Sequence, residues 1–452
     1  MVDAQTITHY VEQNFAQFGT NKRNELARLL YEIAKREHKD FQDVLAPFPS
    51  SKRRFSDLKQ YLLRRRFPHI VPAQLQRQRF PQLNIDPSNR VELKKNLEIA
   101  PNQFFIEESV KDTALAQRLW RKFPQAKFYY ISSYKEHIRQ CKFTLKDYNE
   151  RLGTFYVIRE EYDFYKPCPC SIKSVSCGYH VVNLGSGCAF ECTYCYLQDY
   201  LNSPGIVLPA NLEDFFEKFR RYKQDIRVGS GELTDSLLFD HITEYSPLIV
   251  EFFKQYPKSM FEFKTKSNNI QNLLKVKPAG NIVVSWSMNP QKIIGTTEFY
   301  TASLAQRIEA AIQCMRAGYK IAFHFDPMIY YPEWEQGYHD LIEQIFERID
   351  PRCIVWISLG TLRMTPRLKK IIENRFVDNT ILDEEFLLGY DGKFRYSFEV
   401  RTAMYKKIKE WLEKYLDGDL IYLCMEEKNA CQTAALGPAK KKAVNLLRKV
   451  TP

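Results

Sequence analysis

The sequence predicts an α/β protein: an open, partial (βα)6 barrel, preceded by a small α/β region and by a helical, basic N-terminal extension. Three observations carry this expectation. From 179 to 376, short β-rich runs alternate with amphipathic helical stretches, the order that builds a parallel sheet with right-handed crossovers. The alternation has six units, which fits an open barrel better than a closed eight-unit one. Upstream of residue 67 the apolar spacing is helical instead.

In the extension, Leu26, Leu29, Leu30 and Ile33 fall at i, i+3, i+4 and i+7, one face of a helix. Phe55, Leu58 and Leu62 repeat the pattern, and Pro47 to Ser50 separate the two runs. Residues 67–100 lack periodicity and are rich in Pro, Gln and Asn, so they are expected to form a linker or wrapping arm. The β-rich runs FYYIS (128–132) and TFYVI (154–158) place the small α/β region at 101–175. The barrel strands are expected at 179–185, 226–232, 260–266, 281–288, 319–329 and 353–360. The helical stretch 303–318 ends in Gly318, a suitable C-terminal cap. The expected division is thus 1–100, 101–175, 176–376 for the barrel, and 377–452 as a C-terminal segment closing the site.

The 452 residues suffice for two or three domains, and 44% apolar residues can fill a large core. No cleavable leader and no run of about 18 apolar residues is read, so the expectation is a cytoplasmic protein without a membrane span. Eleven cysteines then read as thiols and metal ligands rather than disulfides. The net charge of +12 is uneven. Residues 52–66 carry seven Lys/Arg against one Asp, and residues 437–452 carry five Lys/Arg and no acid, so these two pieces hold nearly all the excess. Basic ends on a near-neutral body suggest phosphate backbone as a partner, DNA above all; solvated helix faces are the plainer reading.

The chemistry concentrates directly after the first barrel strand, in G-S-G-C-A-F-E-C-T-Y-C-Y-L-Q. Its spacing, C-x3-C-x2-C, comprises Cys188, Cys192 and Cys195. Iron–sulfur cubanes usually take four thiolates, so three in one loop leave an iron open to the amino and carboxylate groups of S-adenosylmethionine (SAM). One electron from such a [4Fe-4S] cluster would cleave SAM to a 5′-deoxyadenosyl radical, which the protein must aim. A structural zinc site prefers four ligands in two C-x2-C pairs and fits less well. The second strand ends in Ser230-Gly231-Glu232-Leu233-Thr234, which resembles the G-G-E-P motif of radical SAM enzymes; there the glutamate would accept from the methionine amino group.

Tyr194 to Gln198 (Y-C-Y-L-Q) resembles the cluster loop of the spore photoproduct lyase family, radical SAM enzymes that revert a thymine–thymine adduct in DNA. The resemblance runs over most of 102–426, through stretches such as TDSLLFDHIT (234–243), FKTKSNNIQNLL (263–274) and RIEAAIQCMRAGYKIAF (307–323). It implies that Cys188, Cys192 and Cys195 ligate the cluster, and that Ser230, Gly231, Glu232, Lys266 and Ser287 meet SAM. Tyr194 and Tyr196 would serve a radical relay, and Thr234 stands where the family has a serine. It also implies a small reducing protein, a flavodoxin or ferredoxin, as electron donor. One departure is that Glu232 occupies the place of the family's hydrogen-returning cysteine. Arg395-Tyr396 is the candidate for the family's C-terminal Arg-Tyr pair.

Cys168, Cys170 and Cys177 form a second group just upstream, able to hold a second metal or cluster with Cys424, Cys431 or His180 as a fourth ligand. Cys141, Cys314 and Cys353 read as core. His324 and Asp326, at the end of the fifth strand, and Asn289, after Ser287, are candidates for the SAM or substrate pocket. The leading expectation is radical chemistry on a nucleic-acid base; the alternatives are a radical SAM enzyme acting on a peptide or small molecule, and a non-enzymatic iron–sulfur sensor.

Overall fold

The computed structural model describes residues 3–436 except 49–53, 76–77, 79, 163–166, 171–173, 176, 201–202 and 222–224. The basic stretch 437–452 lies outside the described residues. The described residues form two compact units, one within 1–91 and 362–400, the other within 92–361 and 401–436.

The first unit is built on four helices, α1 (Ala4–Asn14), α2 (Thr20–Glu37), α3 (Phe41–Leu45) and α4 (Phe55–Arg66). The helical period places their apolar faces together: Leu26, Leu29, Leu30, Ile33, Leu58 and Leu62 are all buried in one core. Asp3 and Asp40 cap α1 and α3 by accepting from backbone N–H groups of the first turn. The stretch expected as a linker joins this unit, with Leu75 and Leu83 buried in the helical core and the Val91 N–H donating to the Arg375 carbonyl (3.0 Å). Residues 362–400, which the sequence reading divides between barrel and C-terminal segment, also cluster here. A buried charge network is the reason a pattern of apolar residues misses this. Arg28 meets Glu373 at 2.6 Å, and Lys369 meets Glu32 at 2.7 Å and Glu373 at 2.9 Å.

The α4 charges behave differently from a free patch. Lys59 pairs with Glu25 (2.6 Å), Arg65 with Glu37 (2.6 Å) and Arg66 with Glu32 (2.8 Å), every acid lying on α2. Counting charge within 52–66 alone overlooks those partners.

The second unit holds two parallel sheets. The smaller has the order β2-β1-β3-β6, made of β1 (Gln103–Glu107), β2 (Lys127–Ile131), β3 (Thr154–Ile158) and β6 (Ile206–Pro209). The last of these comes from within the stretch expected to be barrel. The larger is a curled half-barrel of seven parallel strands: β4 (His180–Val181), β7 (Arg227–Ser230), β8 (Met260–Thr265), β9 (Ile282–Ser287), β11 (Lys320–Met328), β12 (Ile354–Thr361) and β16 (Ile421–Leu423), paired in that order. The partial barrel is therefore as expected, with a seventh, three-residue strand after the six. The first strand is shorter than 179–185. After Val181 the chain leaves the ladder, and Ser186 bridges Val207 of the smaller sheet instead. Every residue of β9 and of β12 is buried, as parallel strands covered on both faces require.

A buried polar network lies among the barrel strands. His324 Nε2 is 2.7 Å from Glu262 Oε1 and its Nδ1 2.5 Å from Ser358 Oγ. Arg227 Nη2 donates to Glu262 (3.1 Å) and to the Tyr422 hydroxyl (3.2 Å). Cys314 is core as expected, whereas Cys141 is exposed and Cys353 half-buried, because each lies just outside or at the edge of its element.

Candidate functional site

The C-terminal ends of the barrel strands gather the sequence-predicted residues: Ser230 ends β7, Lys266 follows β8, and Ser287 ends β9. The cysteine loop lies beside Lys266. Cys188 and Cys192 are buried and Cys195 half-buried.

Three devices shape this loop. First, Arg151, from the small α/β region, is fully buried beneath it. Its guanidinium donates to the carbonyls of Cys188 (2.8 Å) and Phe190 (3.1 Å) and pairs with Glu191 (2.6 Å). Second, the Gln198 amide donates to the carbonyls of Thr193 (3.0 Å) and Cys195 (3.1 Å). Third, β5 (Glu191–Cys192) pairs antiparallel with β10 (Glu298–Phe299), setting Glu298 opposite Cys192. Gly187 has φ +94°, and a Cβ there would meet the Ile206 side chain at 2.8 Å, so only glycine fits the turn into the loop.

The thiols sense one another. Burial pushes Cys188 up to about 12, with the Asp235 charge and Cys195 adding to the rise. Cys192 is raised well above an ordinary thiol, again first by burial, while Lys266 opposes the shift. A cluster binds thiolates, so its iron would supply the positive charge that burial withholds. Among the described residues no three His, Cys, Asp or Glu side chains converge as ligands of a single ion; cubane cysteines bind different irons and have no need to. The loop fits the group it is expected to hold.

Glu298 is a residue the sequence reading overlooks. It is buried, pairs with Arg307 at 2.6 Å, and accepts from the Asn289 amide (2.9 Å) and the Tyr194 hydroxyl. Burial raises its carboxyl, but Arg307 and Lys266 outweigh that and hold it near 2. Lys266 is half-buried with its ammonium 5.6 Å from the Tyr194 ring centroid. Burial lowers its pKa, yet Glu298 and Cys192 more than compensate, so it stays a firm cation beside the loop. Asn289 also accepts from the Tyr338 hydroxyl (2.7 Å), so its amide is engaged within the protein. Tyr194 is buried in this network, whereas Tyr196 is half-buried and packs on Tyr200 (centroids 5.4 Å). Asp235 is the second overlooked residue. It accepts from Thr265 Oγ1 (2.6 Å) and the Lys266 N–H (2.7 Å), tying the end of β8 to the turn after β7.

Glu232 lines a cavity of about 390 Å³ with Asn183, Gly185, Ser186, Val207 and Leu233. Burial raises its carboxyl, and a hydrogen bond from Asn183 opposes the rise. Among the described residues, Asn183 Oδ1 in this cavity and Thr234 Oγ1, on a side chain beside Gly185, are buried without a hydrogen-bond partner. Unsatisfied polar atoms beside a half-buried carboxylate fit a polar ligand such as an amino acid moiety. Gly231 has φ +105°, and a Cβ there would press on the Lys264 carbonyl and on Ser236 Oγ at 3.0 Å. Ser230 Oγ donates to the same Ser236 Oγ (2.8 Å), fixing the S-G-E turn. His324, expected as a possible pocket residue, is satisfied by Glu262 and Ser358 inside the barrel. Cys168, Cys170 and Cys177 are half-buried on the segment leading into β4. Arg395 and Tyr396 lie on β15 (Phe394–Tyr396), where Arg395 pairs with Asp391 (2.7 Å).

A parallel half-barrel with a three-cysteine loop at the C-terminal mouth of its strands defines a radical SAM enzyme. The spore photoproduct lyase family profile matches residues 99–423, and the chain belongs to that family, whose members are lyase-type enzymes of DNA repair that use a [4Fe-4S] cluster and SAM. It is 29% identical to the spore photoproduct lyase of Bacillus subtilis (strain 168) over 250 residues, 53% of this chain and 72% of that one. It is 27% identical to that of Geobacillus sp. (strain Y412MC61) over 249 residues, 52% of this chain and 72% of that one. A solved spore photoproduct lyase variant with bound AdoMet and dinucleoside spore photoproduct superposes with a TM-score of 0.61 at 24% identity, covering 73% of this chain and 99% of the other. Among the described residues no helix is long and apolar enough to cross a membrane.

Proposed function

We propose that this chain cleaves SAM at a [4Fe-4S] cluster held by Cys188, Cys192 and Cys195, and uses the radical on a nucleic-acid base, with thymine-adduct reversal as the leading reaction. The observation that carries this reading is the clamped three-cysteine loop, with Lys266 beside Cys192 and the Gly187 N–H donating to the carbonyl of Leu233, next to Glu232. When bound, the cluster and SAM supply a 5′-deoxyadenosyl radical; the chain's own residues do the rest. Glu232, oriented by Asn183, accepts from the amino group of SAM. The S-G-E turn of Ser230 and Gly231 presents its backbone to the same moiety, and Ser287 closes the pocket from β9. Lys266 balances the negative charge of the thiolates. Asn289 holds Tyr194 and Glu298 in place, which keeps the Tyr194 phenol available for hydrogen-atom transfer; Tyr196 is the partner in such a relay and Thr234 the polar wall. The electron comes from a flavodoxin- or ferredoxin-type protein, and the lesion strand is held through its phosphates.

Anaerobic reconstitution, chemical reduction, and incubation with SAM and an oligonucleotide carrying the thymine adduct test this. Formation of 5′-deoxyadenosine together with restored thymines is expected, and both should vanish when the three loop cysteines are replaced by alanine. SAM cleavage without adduct reversal would move the substrate elsewhere and leave the cofactor assignment intact. Cleavage that survives the triple replacement would overturn the site.

A further inference from the structure

The segment leading into β4 carries Cys168, Cys170 and Cys177, and four backbone contacts hold its described residues. The Cys168 N–H donates to the Tyr179 carbonyl (2.7 Å), and Pro167 bridges His180, folding the segment back on itself. Ser174 bridges Glu427, and the Val175 N–H donates to the Glu426 carbonyl (2.9 Å), drawing it alongside the stretch after β16. There Cys424 is held by its own N–H on the Leu359 carbonyl (2.8 Å). Cys177 and Val175 pack on the same apolar cluster as Tyr422, two residues before Cys424.

The result is four cysteines in one neighbourhood. The Cys168 thiol is hydrogen-bonded to Cys170 and within electrostatic reach of Cys177 and Cys424. Tyr422 senses both Cys177 and Cys424. We propose that Cys168, Cys170, Cys177 and Cys424 form a second, thiolate-ligated metal centre, separate from the cluster loop and taking either zinc or an iron–sulfur cluster. Four thiolates are the ligand set that both of these take, and soft metals select it over harder cations. A bound cation would offset the charge of four thiolates, and the thiol protons would leave as the metal enters. Arg227, near Cys177, adds a fixed positive charge on one side. The four side chains do not yet converge on one point, and neither do the three loop cysteines. Binding therefore requires side-chain rotation, while the backbone contacts of Cys168, Ser174 and Val175 stay in place.

The full-length chain with Cys188, Cys192 and Cys195 replaced by alanine isolates this centre, so its result does not depend on the SAM-cleaving reading. After anaerobic incubation with zinc, or with iron and sulfide, and then desalting, it should retain about one zinc or about one cubane per chain. Adding Cys424→Ser should lower that content at least tenfold. A second measurement needs no further variant: alkylation mapped by mass spectrometry should find the four cysteines protected in the metal-loaded protein and released together by a chelator. Exposed Cys141 provides the reference rate. No metal retained from either source, or alkylation of the four unaffected by metal, would overturn the proposal.

Discussion

Arg151 Nη1 lies 2.6 Å from Glu191 Oε1, with both side chains buried and Glu191 adjacent to Cys192. The same guanidinium holds two carbonyls of the loop, including that of Cys188. Arg151→Met would strand the Glu191 carboxylate, a loss of about 3–5 kcal/mol for a buried pair cut on one side. Denaturant unfolding should show that loss, and iron retained after reconstitution should fall with it. Arg151→Lys keeps the charge but not the fork, so it should recover part of the stability and little of the loop geometry. Full iron content in the Met variant would mean the loop shapes itself.

Such a clamp is hard to read from sequence, and the reason is general to this chain. The cysteine loop is legible because its ligands fall within eight residues and their spacing is itself the chemistry. Arg151, Glu298 and Arg307 come to the loop from positions 37 to 112 residues distant from the nearest of its cysteines, with no period or motif to mark them. Five barrel strands, β7, β8, β9, β11 and β12, are legible as β-rich runs; β4 keeps only two residues of its run, β16, at three residues, is too short to stand out, and β6 is an apolar run that joins the smaller sheet. Which sheet a run joins is decided by packing that a local pattern does not encode. The α4 charges show the same limit, since their partners sit on another helix.

Glu232 is the residue whose role the cavity supports most directly. Glu232→Gln keeps the shape and removes a charge-assisted hydrogen bond worth about 1.5–3 kcal/mol. SAM affinity, measured anaerobically by calorimetry on the reconstituted enzyme, should fall roughly 10- to 100-fold. Iron content should not change, because none of the three loop cysteines lines the Glu232 cavity. Unchanged affinity would remove the glutamate from the SAM site.

His324 makes stability depend on pH. Burial, with the nearby Lys264 adding, depresses its folded-state pKa to about 4 from 6.5. Between those values the unfolded chain takes a proton that the folded chain refuses, so stability falls as pH drops from 6.5 towards 4 and levels off below. The span corresponds to a loss on the order of 3 kcal/mol. Urea unfolding at pH 7, 5.5 and 4.5 should trace it, and His324→Gln should flatten the curve over that window. Identical curves for the two proteins would place the pH dependence elsewhere.

The two basic segments should behave differently towards DNA. On α4, Lys59, Arg65 and Arg66 each face a glutamate of α2 within 2.8 Å. A cation already paired within the protein displaces few counterions from a phosphate. Replacing Lys59 and Arg65 by Gln should therefore lower the melting temperature while changing the salt slope of DNA binding by less than about one unit. The five Lys/Arg of 437–452 have no acid in their own segment. Removing that segment should reduce the slope by up to about 4–5 units, roughly 0.9 for each phosphate it would otherwise neutralise. Fluorescence anisotropy on a duplex from low to moderate salt separates the two. If the α4 replacements flatten the slope and the truncation does not, the helix pairs open on binding, and the N-terminal unit is the one that meets the phosphates.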